Sequence, residues 1–197
     1  MKKKSILWVA ALTAAASGFC GTETFVPDTK ELAIVLPSGY TEVGGITIGS
    51  SEKSLTIGNP NALNRADRAI IRLNLMPFME TGRVKKAVLT FDYRFWGTSI
   101  PKGLKIEHVT AEQTEYNAAT AIGNNGELHS QLKVNPAQPP ASVKLDITKQ
   151  FNIDLGKGFE YCTFRISDPY IDQCGNPNRK PDCILIPCNS IKLVITR

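Results

Sequence analysis

The sequence predicts an all-β protein, a two-sheet antiparallel β-sandwich (jelly roll) with one short helix and a long surface excursion. Three observations carry that expectation. Past the first two dozen residues the dominant hydrophobic period is two, in short runs rich in Val, Ile, Leu, Thr, Phe and Tyr separated by Gly, Pro and Asn. Many of these runs offer one apolar face only, and strands of that kind bury their faces by packing two sheets together. The 197 residues, 42% hydrophobic and 21% charged, supply one sizeable core. They exclude both a large multidomain enzyme and a chain disordered over most of its length.

The chain opens on Met1-Lys2-Lys3-Lys4, and residues 6–16 form an apolar run ending in small residues. This is the layout of a secretory signal peptide, expected over residues 1–19 and implying a secreted or cell-surface protein, periplasmic or extracellular. The run is short for a bilayer span and polar residues follow it, so attachment to a membrane is expected only through lipidation at Cys20. Ser17-Gly18-Phe19-Cys20 resembles a bacterial lipobox, with Phe19 where Gly, Ala or Ser is usual. Losing Lys2, Lys3 and Lys4 lowers the formal charge from +5 to +2, and the remaining charges are scattered and mixed in sign. Nucleic acid is thereby excluded as a partner, because phosphate recognition needs clustered Lys and Arg.

Strands are expected at 32–36, 46–48, 54–57, 68–75, 84–96, 104–110, 143–147, 161–167 and 191–196. In the 84–96 run, Ala87, Leu89, Phe91, Tyr93 and Phe95 share one face and belong in a core, while Val88, Thr90, Asp92, Arg94 and Trp96 take the other. Ala69, Ile71, Leu73 and Leu75 repeat the pattern, as do Val143, Leu145 and Ile147. Residues 148–155 are the best short helix: Thr148 is the expected cap, Phe151 and Leu155 share a face, and Gly156-Lys157-Gly158 stops it. The polar, aperiodic stretch 110–140 reads as an excursion over the sandwich, and no linker splits the chain.

Five cysteines occur, four of them (Cys162, Cys174, Cys183 and Cys188) within the last 36 residues. In an exported protein an even cluster reads as two disulfides, with three pairings open. The preferred pairing joins Cys174 to Cys183 across a turn-rich loop and Cys162 to Cys188 between two strands taken to be neighbours. A four-cysteine zinc site is the rival, but the spacings lack Cys-x-x-Cys knuckles. No cofactor and no metal are expected.

The order of these features resembles the DNRLRE-type domain, a jelly-roll module of secreted and surface-layer proteins grouped with carbohydrate-binding modules. The resemblance covers residues 25–197 and rests on Leu55-Thr56-Ile57-Gly58-Asn59, on Asp67-Arg68-Ala69-Ile70-Ile71-Arg72-Leu73-Asn74-Leu75 and on Val84-Lys85-Lys86-Ala87-Val88-Leu89-Thr90-Phe91. Glu112-Gln113-Thr114-Glu115-Tyr116-Asn117 matches a loop in which Tyr116 replaces the expected Trp; Val143-Lys144-Leu145-Asp146-Ile147-Thr148 matches the step into a short helix, and Lys192-Leu193-Val194-Ile195-Thr196 the closing strand. The cysteine-bearing insert at 168–187 departs from the family pattern.

Binding a sugar needs flat aromatic faces and planar polar groups, and a carboxylated sugar favours Arg, whose fork matches a carboxylate. The candidate ligand-binding residues are Trp96, Arg94, Arg72, Tyr116 and Asn117, with Arg165 and Lys144 completing a possible basic stripe. The plainer account of the charges is that they keep strand faces soluble. Asp168, Asp172 and Asp182 could gather round calcium, but their spacing fits turn-forming Asp better. No catalytic residues are expected: Ser50-Ser51-Glu52-Lys53 lacks the helix and partners that activate a Ser-x-x-Lys serine, and His108 shares phase with Leu104 and Ile106 as a half-buried structural residue. The expected function is non-catalytic binding of polysaccharide or surface glycan. The alternatives are a structural or adhesive protein that contacts other surface proteins, and a small polysaccharide-degrading enzyme seeded by His108, Tyr116 and Arg94.

Overall fold

The computed structural model describes residues 21–28, 31–36, 39–42, 54–59, 67–97, 102–111, 126–134, 141–169 and 182–197. Its strands are, in chain order, β1 (Thr22–Phe25), β2 (Leu32–Leu36), β3 (Gly39–Glu42), β4 (Ser54–Asn59), β5 (Arg68–Asn74), β6 (Lys86–Gly97), β7 (Lys102–Val109), β8 (Gly126–Val134), β9 (Ala141–Asp146), β10 (Tyr161–Ser167), β11 (Asp182–Pro187) and β12 (Lys192–Thr196). One α-helix, α1 (Thr148–Lys157), lies between β9 and β10. They form the expected two-sheet antiparallel sandwich. The first sheet runs β1-β12-β6-β11-β4 with β9 on the other edge of β6; the second runs β3-β2-β5-β10-β7-β8.

Period-two alternation in β6 explains its central place. Ala87, Leu89 and Phe91 point inward and are buried, and Tyr93 and Phe95 pack against the same core. Along one edge β6 takes β12 opposite residues 86–90 and β11 opposite residues 94–97; along the other it takes β9 opposite residues 88–93. Between β12 and β11 the amide of Asp92 would be left over, and a 3-10 turn at Cys188–Ser190 fills the gap: Asp92 N–H donates to Ser190 Oγ at 3.1 Å. The second sheet supplies the facing layer through Leu32, Ala69, Ile71, Leu73, Ile106 and Phe164, which join the first sheet's Leu55, Ile57, Ile184 and Leu193 in one core.

Helix α1 closes one end of that core. Phe151 is fully buried and meets Phe78 edge to face at 5.3 Å. Asn152 clamps the chain leading into β6, accepting from Val84 N–H and donating to Val84 C=O, both at 2.9 Å. The stop is as expected: Gly158 takes the left-handed conformation at φ 76° and its N–H returns to the carbonyls of Asp154 and Leu155. The start is not. Thr148 lies inside the helix, after Ile147, and its hydroxyl accepts from Ala87 N–H at 2.9 Å while its own N–H donates to Asp146 Oδ1. The Thr148 hydroxyl also donates to Asp146 Oδ1 at 2.5 Å, and this bond first, then the one from the Thr148 backbone, holds the Asp146 carboxyl below the usual carboxylate range.

Four strands escaped the sequence reading. Strands β1 and β3 are four residues each, and β8 lies in the stretch expected to be an excursion. At the edge of its sheet β8 shows no clean alternation, and Leu128 points to solvent. Strand β11 falls in what was taken for a cysteine-bearing loop; its Ile184 and Ile186 are core residues. The strand expected at 46–48 lies outside the described residues.

Phe151→Ala is expected to cost about 3–5 kcal/mol of unfolding free energy. Urea titration checks this, and a loss below about 1 kcal/mol would show that the helix does not cap the core.

Candidate functional site

Pleating sends the expected binding residues to two different surfaces. On the outer face of the first sheet, Trp96 is 53% exposed, and Arg94 lies two residues earlier on the same side of β6, half-buried. Register places Cys183 opposite Trp96 and Leu185 opposite Arg94, with Thr56 beyond Leu185. Strand β9 pairs with β6 only as far as Tyr93, so the Trp96 segment runs past its end. Lys144 is exposed on β9, opposite Thr90.

Arg72 does not join this group. It lies on the outer face of the second sheet, opposite Thr163, only 7% exposed, with its guanidinium 4.5 Å over the Tyr161 ring. Its neighbour Arg165 is buried as well and donates from Nε to Glu107 Oε2 at 3.0 Å, while Lys105 Nζ reaches Glu107 Oε1 at 2.7 Å. The burial of Arg72 and Arg165 departs both from a possible basic stripe and from the plainer account of these charges as keeping strand faces soluble. Arg72 and Arg165 sit in a buried polar layer on one sheet, and Arg94 and Lys144 belong to the other. In that polar layer the hydroxyls of Thr163 and Ser167 are buried without hydrogen-bond partners. Burial raises the pKa of Glu107, but hydrogen bonds and charge from Lys105 and Arg165 outweigh it, and the carboxyl ends below its ordinary value.

Tyr116 and Asn117 lie outside the described residues, as do Ser50, Ser51, Glu52, Lys53, Glu112 and Glu115. A cleft of about 270 Å³ opens beside β1 and β5, lined by Phe25, Asp28, Glu31, Asn74 and Phe78 among others, and Arg72, Arg94 and Trp96, the described members of the expected binding set, do not line it.

The inner face of the second sheet holds a polar cluster that the sequence reading did not assemble. His108 on β7 and Cys162 on β10 flank Phe164, which pairs with His108, and both point into the sandwich. Asp154, from the last turns of α1, meets them there: His108 Nε2 and Asp154 Oδ2 are 2.7 Å apart, at 3% and 0% residue exposure. Cys162 completes the group, fully buried. Burial first, then the charge of Asp154 and a hydrogen bond to its carboxyl, push the thiol well above the ordinary range. Of the enzyme seeds named from sequence, His108 and Arg94 do not come together, because His108 faces the core of one sheet and Arg94 the outside of the other; Tyr116 lies outside the described residues.

The expected bridge between Cys162 and Cys188 is not formed, and Cys162 is a free thiol. The strands were taken to be neighbours, but β10 lies between β5 and β7, whereas Cys188 sits in the turn that serves β6 in the other sheet. Among the described residues there is no disulfide; Cys174, the expected partner of Cys183, lies outside them, as does Cys20. Asp168 is buried and its Oδ1 accepts from Gly103 N–H at 3.4 Å, while Asp172 lies outside the described residues. No helix among the described residues is long and apolar enough to cross a membrane.

The fold is thus a two-layer antiparallel β-sandwich. No protein-family model matches the chain, the DNRLRE type included, and no curated protein matches it. Among solved structures, it is similar to the CBM22-1 xylan-binding domain from Paenibacillus barcinonensis Xyn10C, at 8% identity and a TM-score of 0.39, over 90% of this chain and 86% of that one. A superposition this loose transfers no individual side chain.

The ion pair of Glu107 gives a pH signature. Its lowered pKa means that the stabilisation is present above the unfolded carboxylate value and lost as pH falls through the folded one. Glu107→Gln, which strands Arg165, is expected to be less stable than wild type at neutral pH, with the gap narrowing below about pH 4. Thermal unfolding of both proteins across that range tests it; a gap constant with pH would show that the carboxylate charge is not what matters.

Proposed function

We propose that the protein is an exported, non-catalytic β-sandwich that binds polysaccharide or a cell-surface glycan through the outer face of its first sheet. One observation carries the reading: Trp96, a large flat aromatic, stands more than half exposed with the Arg94 guanidinium on the same side of the same strand. An indole face supplies the apolar platform for a sugar ring, and Arg supplies planar donors suited to hydroxyls or a uronate carboxylate. Arg72, 7% exposed on the other sheet, is left out of this surface. The resemblance to DNRLRE-type domains points the same way, and the lysine-led apolar N-terminal run supports export.

Two further observations favour binding over the alternatives. The residues with the most chemical potential, His108, Asp154 and Cys162, are closed off from solvent. Among the described residues the exposed large apolar side chains, Val26, Met76, Trp96, Leu128 and Ile153, come from separate segments, which is a poor basis for an adhesive apolar face.

Affinity electrophoresis of the whole protein against acidic and neutral polysaccharides tests the reading. At least one polymer is expected to retard the wild type, and Trp96→Ala to weaken that binding by roughly tenfold or more, with the melting temperature nearly unchanged. No retardation on either class of polymer, or a large drop in melting temperature with W96A, overturns it.

A further inference from the structure

We propose that His108, Asp154 and Cys162 form a buried site for a zinc-type divalent transition-metal ion. One imidazole nitrogen, one carboxylate oxygen and the Cys162 sulfur all lie within 4.8 Å of one another, and all three residues are buried. They come from three elements, β7, α1 and β10, whose packing brings the donors to one point. The donor set is mixed nitrogen, oxygen and sulfur, which suits a borderline-soft ion such as zinc and does not suit calcium or magnesium, whose ligands are oxygens.

A second observation points to a ligand at that point. Asp154 Oδ2 is engaged by His108 at 2.7 Å, whereas Oδ1 is buried with no hydrogen bond of ordinary geometry, the weak Cys162 thiol being the further donor beside the carboxyl. Leaving a carboxylate oxygen unsatisfied in an apolar interior is costly. A divalent cation held by a carboxylate, a thiolate and a neutral imidazole carries no net charge, so the whole group can be buried without a stranded ion. Coordination forms bonds from nitrogen, oxygen and sulfur to the ion. It releases the thiol proton to solvent, and any second proton on the imidazole with it. Because the three donors are buried, the ion enters as the sandwich closes, and it ties α1 to the second sheet.

The experiment follows from that order of events. The whole protein is unfolded in guanidinium with a reductant, refolded with cobalt(II) or with a chelator, and desalted. Wild type refolded with cobalt is expected to keep about one equivalent and to show a thiolate-to-cobalt charge-transfer band. It should also melt at a higher temperature than the chelated sample. Cys162→Ser is expected to lose the charge-transfer band, whereas Cys183→Ser and Cys188→Ser keep it. Should C162S fail to fold, X-ray absorption at the zinc edge of the zinc-refolded wild type replaces it, with a single sulfur and lighter donors expected. Cobalt that does not survive desalting, a charge-transfer band that persists in C162S, or a zinc shell with no sulfur or several, overturns the proposal.

Discussion

Strand β6 must be paired along both edges while one of its faces is buried, and the rest of the structure answers to that requirement. No single partner covers its length. Two strands, β12 and β11, share one edge and a 3-10 turn lends a serine hydroxyl where neither reaches, while β9 covers the other edge up to Tyr93. Satisfying the backbone of β6 thus dictates the path of the C-terminal segment, and burying Ala87, Leu89 and Phe91 dictates that a second sheet lies opposite. The described pairing with β9 ends at Tyr93, and further along β6 the outward Trp96, paired among the described residues to β11 alone, is exposed.

Polar groups occur in two layers with different roles. On the outer face of the second sheet, Arg165, Glu107 and Lys105 satisfy one another, and the cross-strand register makes the Arg165 and Glu107 pair directly opposed. On its inner face, His108, Asp154 and Cys162 sit among hydrophobic side chains, where incomplete satisfaction is expensive. The first layer behaves as a structural ion-pair network. The second is the kind of cluster that an ion completes, and it joins the helix that caps the core to the sheet it caps.

Much of the fold was legible in the residues. Alternation in 68–75, 84–96, 143–147 and 161–167 placed strands that the structure contains, and Gly158 ended the helix as expected. The misses have physical causes. Strand β8 is an edge strand with few core contacts and so lacks a strict period, and the apolar run in β11 was masked by the cysteines and prolines at its borders. Thr148 reads as a cap by residue type, but tertiary hydrogen bonds to Ala87 engage its hydroxyl instead. Of the candidate site, Trp96 and Arg94 share a face because they are two apart on one strand, which is a local fact. Whether Arg72 joins them is not local, and it does not.

By itself the sequence determined what the backbone pleat determines: that this is a β protein, which side chains of its most regularly alternating strands face inward, and that one short helix interrupts it. Only the tertiary structure decided which strands lie side by side. It separated Arg72 from Arg94, kept Cys162 away from Cys188, and brought residues 108, 154 and 162 together. The reason is that side-chain alternation follows from the dihedral angles of neighbouring residues, whereas strand order follows from long-range pairing and shared burial, to which spacing along the chain is blind.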